Sequence, residues 1–237
     1  MNGERGGVQA EVRYLHQSGF ELWLGGRYLL FDYDGAGAQP DPRGLMSEGA
    51  AVFVSHRHGD HFAKEVLSYP RRNPALMLIL SDDIRADGTE GAVRSVASRV
   101  RLELPGLAIR TLRSTDEGVA FLVRTEGVTV YHAGDLNWWH WEGESEEWNR
   151  KMAEDYRAEI DTLAGERIDL AFLPVDGRLG AAATWGADYF METVGARYLV
   201  PMHFWEDRSV FSALERAPYA ARVCLPPETG ERLAIQL

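Results

Sequence analysis

Short apolar runs rich in β-branched and aromatic residues alternate with glycine-rich breaks over the first third of the chain. Val12–His16, Phe20–Leu24, Tyr28–Asp32 and Ala51–Ser55 read as strands. Ser18-Gly19, Gly25-Gly26 and the glycine- and proline-rich stretch from Gly35 to Gly44 separate them. The Gly25-Gly26 pair is a hairpin signal, because both residues accept positive φ without steric cost. A short helical stretch at Phe62–Ser68 precedes the apolar run Ala75–Leu80. Strands are predicted again at Val100–Leu104, Ala108–Leu112, Val119–Arg124 and Val128–His132, with Glu126-Gly127 as the turn between the last two.

The pattern then changes period. Trp148, Met152, Tyr156, Ile160 and Leu163 recur at helical intervals within the charged stretch Glu144–Leu163, which defines one helix with one apolar face. Ile168–Leu173, Tyr198–Pro201 and Arg222–Leu225 read as strands, with helices at Trp185–Val194 and Ser209–Glu215. Strand meanders followed by strand–helix alternation predict two sheets packed together and flanked by helices. With no internal repeat and no linker, one α/β domain over residues 1–237 is expected.

Composition narrows the partners. A formal charge of −11, from 25 basic and 36 acidic residues, makes a nucleic-acid backbone a poor main partner. A small-molecule substrate is expected instead. The single cysteine, Cys224, excludes an intramolecular disulfide and is expected to be a small buried apolar residue. Met1 to Ala10 is polar and glycine-rich, without the apolar centre of a secretion signal, and Ala75–Leu80 is too short to span a bilayer. A soluble, cytoplasmic protein without a membrane anchor is expected.

The chemistry is concentrated directly after the fourth strand, in Ser55-His56-Arg57-His58-Gly59-Asp60-His61. Three of the seven histidines fall within six positions there, alongside a carboxylate. Imidazole and carboxylate together suit zinc, manganese or iron. Residues at alternating positions after a strand converge on one point, and Asp60 and His61 on the next turn reach a second point beside it.

His56-Arg57-His58-Gly59-Asp60-His61 resembles the HxHxDH motif of the metallo-β-lactamase superfamily. Three further stretches match in the family's order: Leu29-Leu30-Phe31-Asp32, Tyr131-His132-Ala133-Gly134-Asp135 and Val200-Pro201-Met202-His203. The details are similar to the branch containing ascorbate-6-phosphate lactonase and the N-acylphosphatidylethanolamine phospholipase. The resemblance implies a four-layer αββα sandwich and two metal ions, zinc or else manganese or iron. It implies His56 and His58 on one ion, Asp60 and His61 on the other, Asp135 bridging both, and His203 completing the second. Asp32, or Asp34 nearby, would support the ligands from behind. His16 resembles an early histidine of the branch displaced by one residue, with a structural role as the alternative.

One element of the pattern is missing. The family places another histidine before the bridging aspartate's strand, yet none occurs between Phe62 and Tyr131. Asp116, in Ser114-Thr115-Asp116-Glu117, is the preferred replacement, and an inward-turned His132 is the other. With an oxygen in place of nitrogen, the first site would accept manganese or iron as well as zinc, or be only partly filled.

If both ions bind, a water between them is acidified to hydroxide, with Asp60 orienting it and His132 a candidate catalytic group. This chemistry implies a metal-dependent hydrolase acting on a small phosphorylated or cyclic ester (a lactone). A phosphodiesterase acting on a nucleotide or lipid head group is the alternative within enzymes. A metal-binding protein with a degraded first site and little catalysis is the alternative outside them. Trp138, Trp139 and Trp141 beyond Asp135 would wall the substrate, with His140 as a proton donor, or else anchor the next helix or a homo-oligomer interface. Arg178, in a glycine-rich loop after a strand, would pair with a phosphate or carboxylate, or else be solvated.

Overall fold

The computed structural model describes residues 7–87, 89 and 92–237. Most of the polar N-terminal stretch, where no secretion signal is expected, lies outside the described residues. Two sheets form the framework. The first contains β1 (Gln9–His16), β2 (Gly19–Leu24), β3 (Arg27–Phe31), β4 (Ala51–Val54), β5 (Met77–Ser81), β6 (Ala92–Val96) and β13 (Arg232–Gln236), in the order β13-β1-β2-β3-β4-β5-β6. The second contains β7 (Arg101–Leu104), β8 (Leu107–Arg113), β9 (Val119–Thr125), β10 (Val128–His132), β11 (Leu170–Pro174) and β12 (Tyr198–Met202), in the order β12-β11-β10-β9-β8-β7.

Each sheet changes direction partway. In the first, β1, β2 and β3 pair antiparallel, whereas β3 to β6 pair parallel. In the second, β7 to β10 are antiparallel and β10, β11 and β12 parallel. The parallel strands end together, and the loops leaving β3, β4, β10, β11 and β12 carry the site.

Alternation along the strands sorts the core. Leu29, Phe31, Ala51, Phe53 and Ile79 face the second sheet, against Ile109, Phe121 and Phe172. Tyr28, Leu30, Val52, Val54, Leu78 and Leu80 face outward, under a 3₁₀ turn at Lys64–Ser68 and the one-turn helices α1 (Pro42–Leu45) and α2 (Tyr69–Arg72). Strands buried on both faces read as continuous apolar runs, as β4 does. The outer face of the second sheet is covered by α3 (Glu146–Asp161) and α4 (Trp185–Thr193), through Tyr156, Ile160 and Phe190. The result is the αββα sandwich, with a thin outer layer on the first sheet. The short helix α5 (Phe211–Leu214) completes the elements.

Several local expectations shift. The long helix begins at Glu146, where the Ser145 side chain accepts from the Trp148 amide and Glu146 and Glu147 sit in the positive first turn. Where a short helix is expected at Phe62–Ser68, the structure has a 3₁₀ turn over Lys64–Ser68. Arg222–Leu225 makes only a single bridge, Val223 to Leu199, so Cys224 is half-buried rather than enclosed. Among the described residues, no helix is long and apolar enough to cross a membrane.

Candidate metal centre

Every histidine and aspartate of the cluster sits just past a strand end, where the ladder stops and side chains can turn over the top of the sandwich. His56, His58, Asp60 and His61 follow β4; Asp135 follows β10; His203 follows β12. Asp116 comes from the β8–β9 connection. Two glycines let these loops close. A Cβ on Gly118 would lie 2.0 Å from the Ser55 carbonyl oxygen, and one on Gly134 would lie 2.7 Å from Ser55 Cβ, with both residues at positive φ. Gly118→Ala is therefore expected to cost about 2–3 kcal/mol, combining backbone strain with a clash against main chain. Calorimetric melting would check this, and an unchanged melting temperature would contradict it.

The donor atoms form three overlapping groups: Asp60 with His61 and His203, His56 with His61 and Asp135, and His58 with Asp116 and Asp135. Asp135 Oδ1 lies 3.1 Å from His61 Nε2 and 3.5 Å from His203 Nε2, while Asp60 Oδ2 is 3.6 and 3.5 Å from the same two nitrogens. Asp135 Oδ2 lies 3.5 Å from His56 Nε2. His56 Nε2 is 3.0 Å from His58 Nδ1, which is 3.9 Å from Asp116 Oδ2. Ligands about 2.1 Å from one tetrahedral ion stand about 3.4 Å from one another, close to these separations, and the donor atoms of each group lie within 4.8 Å of one another. His61 Nε2 and Asp135 Oδ1 are buried with no hydrogen-bond partner, which a cation would supply.

The imidazoles are held from behind. Asp32 Oδ2 accepts from His61 Nδ1 (2.8 Å) and from the Ser55 hydroxyl (2.6 Å), and Asp32 Oδ1 accepts from the Ser55 amide (2.7 Å). The Ser55 oxygen accepts in turn from His56 Nδ1 at 3.0 Å. Asp176 Oδ2 stands 3.3 Å from His203 Nδ1. Three rings therefore present Nε2 inward, with Nδ1 set against a polar support. His58 is turned the other way, with Nδ1 inward and Nε2 3.6 Å from Glu117 Oε2.

The electrostatics also call for cations. Burial opposes charge on His61 and His203, but Asp135 and its neighbouring carboxylates outweigh it, raising His61 well above the usual imidazole range and His203 to about 9. Burial likewise opposes charge on Asp60, which His203 and His61 nevertheless hold down at about 2. His56 falls to about 4 through burial and the charge of His61 beside it. Burial and Asp135 push Asp116 upward. Without metal, protons on His61 and His203 balance the carboxylates; divalent ions do so with the imidazoles neutral.

The remaining expected residues separate. His132 is fully buried and stacked on Phe31 at 4.9 Å, with Nε2 donating to the Ser18 carbonyl and Nδ1 accepting from the Gly134 amide. Both ring nitrogens are occupied, so the geometry gives His132 no place as a ligand or as a catalytic group; it braces the turn before Asp135. His16 pairs with Asp34 at 2.6 Å, outside all three donor groups. His140 packs on Trp185, and Trp138 on Trp185, Tyr189 and Arg157, so these two anchor helices. Trp139 and Trp141 instead line a cavity of about 340 Å³ over the cluster, with Trp148, Met152, Arg178 and Trp205. A larger hollow of about 960 Å³ lies by Gly49 and Met77, at the opposite ends of β4 and β5 from every ligating group.

Ser55, Glu117, Asp176, Trp148 and Trp205 are site residues that sequence reasoning misses. For Asp176 a signal exists, since it follows a buried strand as Asp32 does. Trp148 falls on the apolar helix stripe predicted to be buried, but it is exposed at the cavity.

Fold and cluster together define the class: a metal-dependent hydrolase of the metallo-β-lactamase fold. The chain belongs to the beta-lactamase superfamily, whose domain model (Beta-lactamase superfamily domain) matches residues 11–140. Among curated relatives it resembles the UPF0173 metal-dependent hydrolase of Methanosphaerula palustris, 29% identical over 202 residues that cover 74% of this chain and 80% of the relative. The corresponding protein of Geobacillus thermodenitrificans is 24% identical, over 94% of this chain and 96% of its own. Among solved structures, the metallo hydrolase Igni18 of Ignicoccus hospitalis superposes with a TM-score of 0.67 at 18% identity, covering 97% and 99% of the two chains.

Proposed function

We propose that this protein is a cytoplasmic dinuclear hydrolase of a small phosphorylated ester or a lactone. One ion would be held by His56, His58, Asp116 and Asp135, and the other by Asp60, His61, His203 and Asp135. The observation that carries this reading is the placement of Asp135, whose two oxygens face different histidine sets. Two divalent ions there would acidify a water and offset oxyanion charge. Asp60, with its carboxylate partly open to the cavity, would orient the attacking water. Asp32, Ser55 and Asp176 keep the imidazoles in one tautomer and one direction. The tryptophan-lined cavity fits a small substrate.

The first donor set has two nitrogens and two carboxylate groups, which suits manganese or iron as well as zinc. Protein stripped with a chelator and reloaded with manganese or zinc should hydrolyse bis(4-nitrophenyl) phosphate, a simple lactone, or both, and lose that turnover when stripped again. Inactivity towards both at two bound ions per chain would leave a metal-binding protein without this hydrolytic role.

A further inference from the structure

Trp148 and Trp205 are two of only four large apolar side chains exposed on the described surface, at 36% and 43%, and both stand at the cavity over the cluster. Trp205 is also held at a backbone cost. His203, Trp205 and Glu206 have φ of 57°, 48° and 62°, a left-handed conformation that bulky residues rarely adopt. Gln17 holds the loop in place. Its carbonyl accepts from the His203 amide at 3.2 Å, and its Oε1 accepts from the Trp205 amide at 3.0 Å. One strained segment therefore delivers a ligating imidazole and, two residues later, an indole to the same cavity.

That indole belongs to a layered wall. The Arg178 guanidinium sits 4.5 Å from the Trp205 ring centre and 5.6 Å from that of Trp141. Asp176 fixes it by accepting from Nε and Nη2, which leaves Nη1 for an anion. Trp141 in turn lies parallel to Trp139, at 6.3 Å and 7°, and Trp139 meets His203 edge-on at 5.4 Å. One side of the cavity is thus carboxylate and imidazole, and the other is indole with one clamped cation.

We propose that this wall recognises a flat apolar group, so that the preferred substrates are anionic esters carrying an aryl or similarly planar moiety rather than a small alkyl one. The reacting end of such a ligand rests on the hydrolytic reading above; the planar end rests on the wall alone. Indole faces gain from stacking against a flat ring, and Arg178 offsets anionic charge beside it. A methyl group covers neither.

The test separates the two ends by using ligands that cannot be hydrolysed. Phenylphosphonate, cyclohexylphosphonate and methylphosphonate are titrated calorimetrically into the metal-loaded full chain. Phenylphosphonate is expected to bind about tenfold more tightly than methylphosphonate, and more tightly than the equally bulky but non-planar cyclohexyl compound. Trp205→Ala should bring the phenyl and methyl affinities to within about twofold of each other, whereas Trp205→Phe, which keeps a ring, should retain most of the preference. Equal affinities in the wild-type protein, or no binding of any of the three, would overturn the proposal. A protein that shows the phenyl preference yet turns over no ester keeps the wall and loses the hydrolytic reading.

Discussion

Asp135→Ala is expected to lower kcat/KM by about a thousandfold or more, the loss that ~4 kcal/mol of transition-state stabilisation produces. In the proposed centre Asp135 is the side chain assigned to both ions: Oδ1 faces His61 and His203, and Oδ2 faces His56. Without it, each proposed set would lose a donor, and His61 and His203 would share only Asp60 as a counter-charge. Ion content should fall below two per chain in the same variant. Asp135→Asn keeps the volume and one carbonyl oxygen, so it should retain more metal than alanine while losing comparable activity. Near-normal turnover in either variant would show that Asp135 does not join the two ions.

Asp32→Ala is expected to cost stability and metal affinity together. Asp32 is completely buried and accepts from the Ser55 amide, the Ser55 hydroxyl and His61 Nδ1. Removing it strands all three donors in the interior, a loss of about 3–5 kcal/mol for a buried charged partner. For a domain of this size the melting temperature should drop by roughly 10 °C. His61 would also lose the support that keeps Nε2 inward, so the second set should bind its ion about 10–100-fold more weakly. Asp32→Asn retains an oxygen for Ser55 and should recover part of the stability. A melting temperature and ion affinity both unchanged in the alanine variant would sink this role for Asp32.

The cluster of candidate donors was legible in the sequence because it is local: four donors in six positions after a buried strand, followed by aspartate and histidine at later strand ends. The framework was legible for the same reason. β4 is a continuous apolar run, β10 is rich in β-branched residues and buried along its length, and β8 and β9 are joined by polar turn residues. The edges were not. β13 has three exposed residues among its five and pairs only with β1, so its sequence carries little hydrophobic signal. β6 closes the other edge of that sheet, with Arg94 and Ser95 exposed. His132 is the instructive case at the site. It is the last residue of β10 and points between the sheets, against Phe31 and the Ser18 carbonyl, whereas Asp135 lies three residues on, past the strand end. Trp148 sits on the apolar stripe of α3, but the first turn of that helix overhangs the cavity rather than the sheet.

The proposed replacement of the missing histidine by Asp116 has its own expected signature in metal content. Asp116→Ala removes one of the four donors from the first set and none from the second, so it should reduce two ions to close to one. The central claim is tested most directly by elemental mass spectrometry on the full chain reloaded with manganese or zinc and freed of unbound metal. Close to two ions per chain are expected in the wild-type protein. One ion or fewer, unchanged by further manganese or zinc, would contradict the paired centre on which the hydrolytic reading rests.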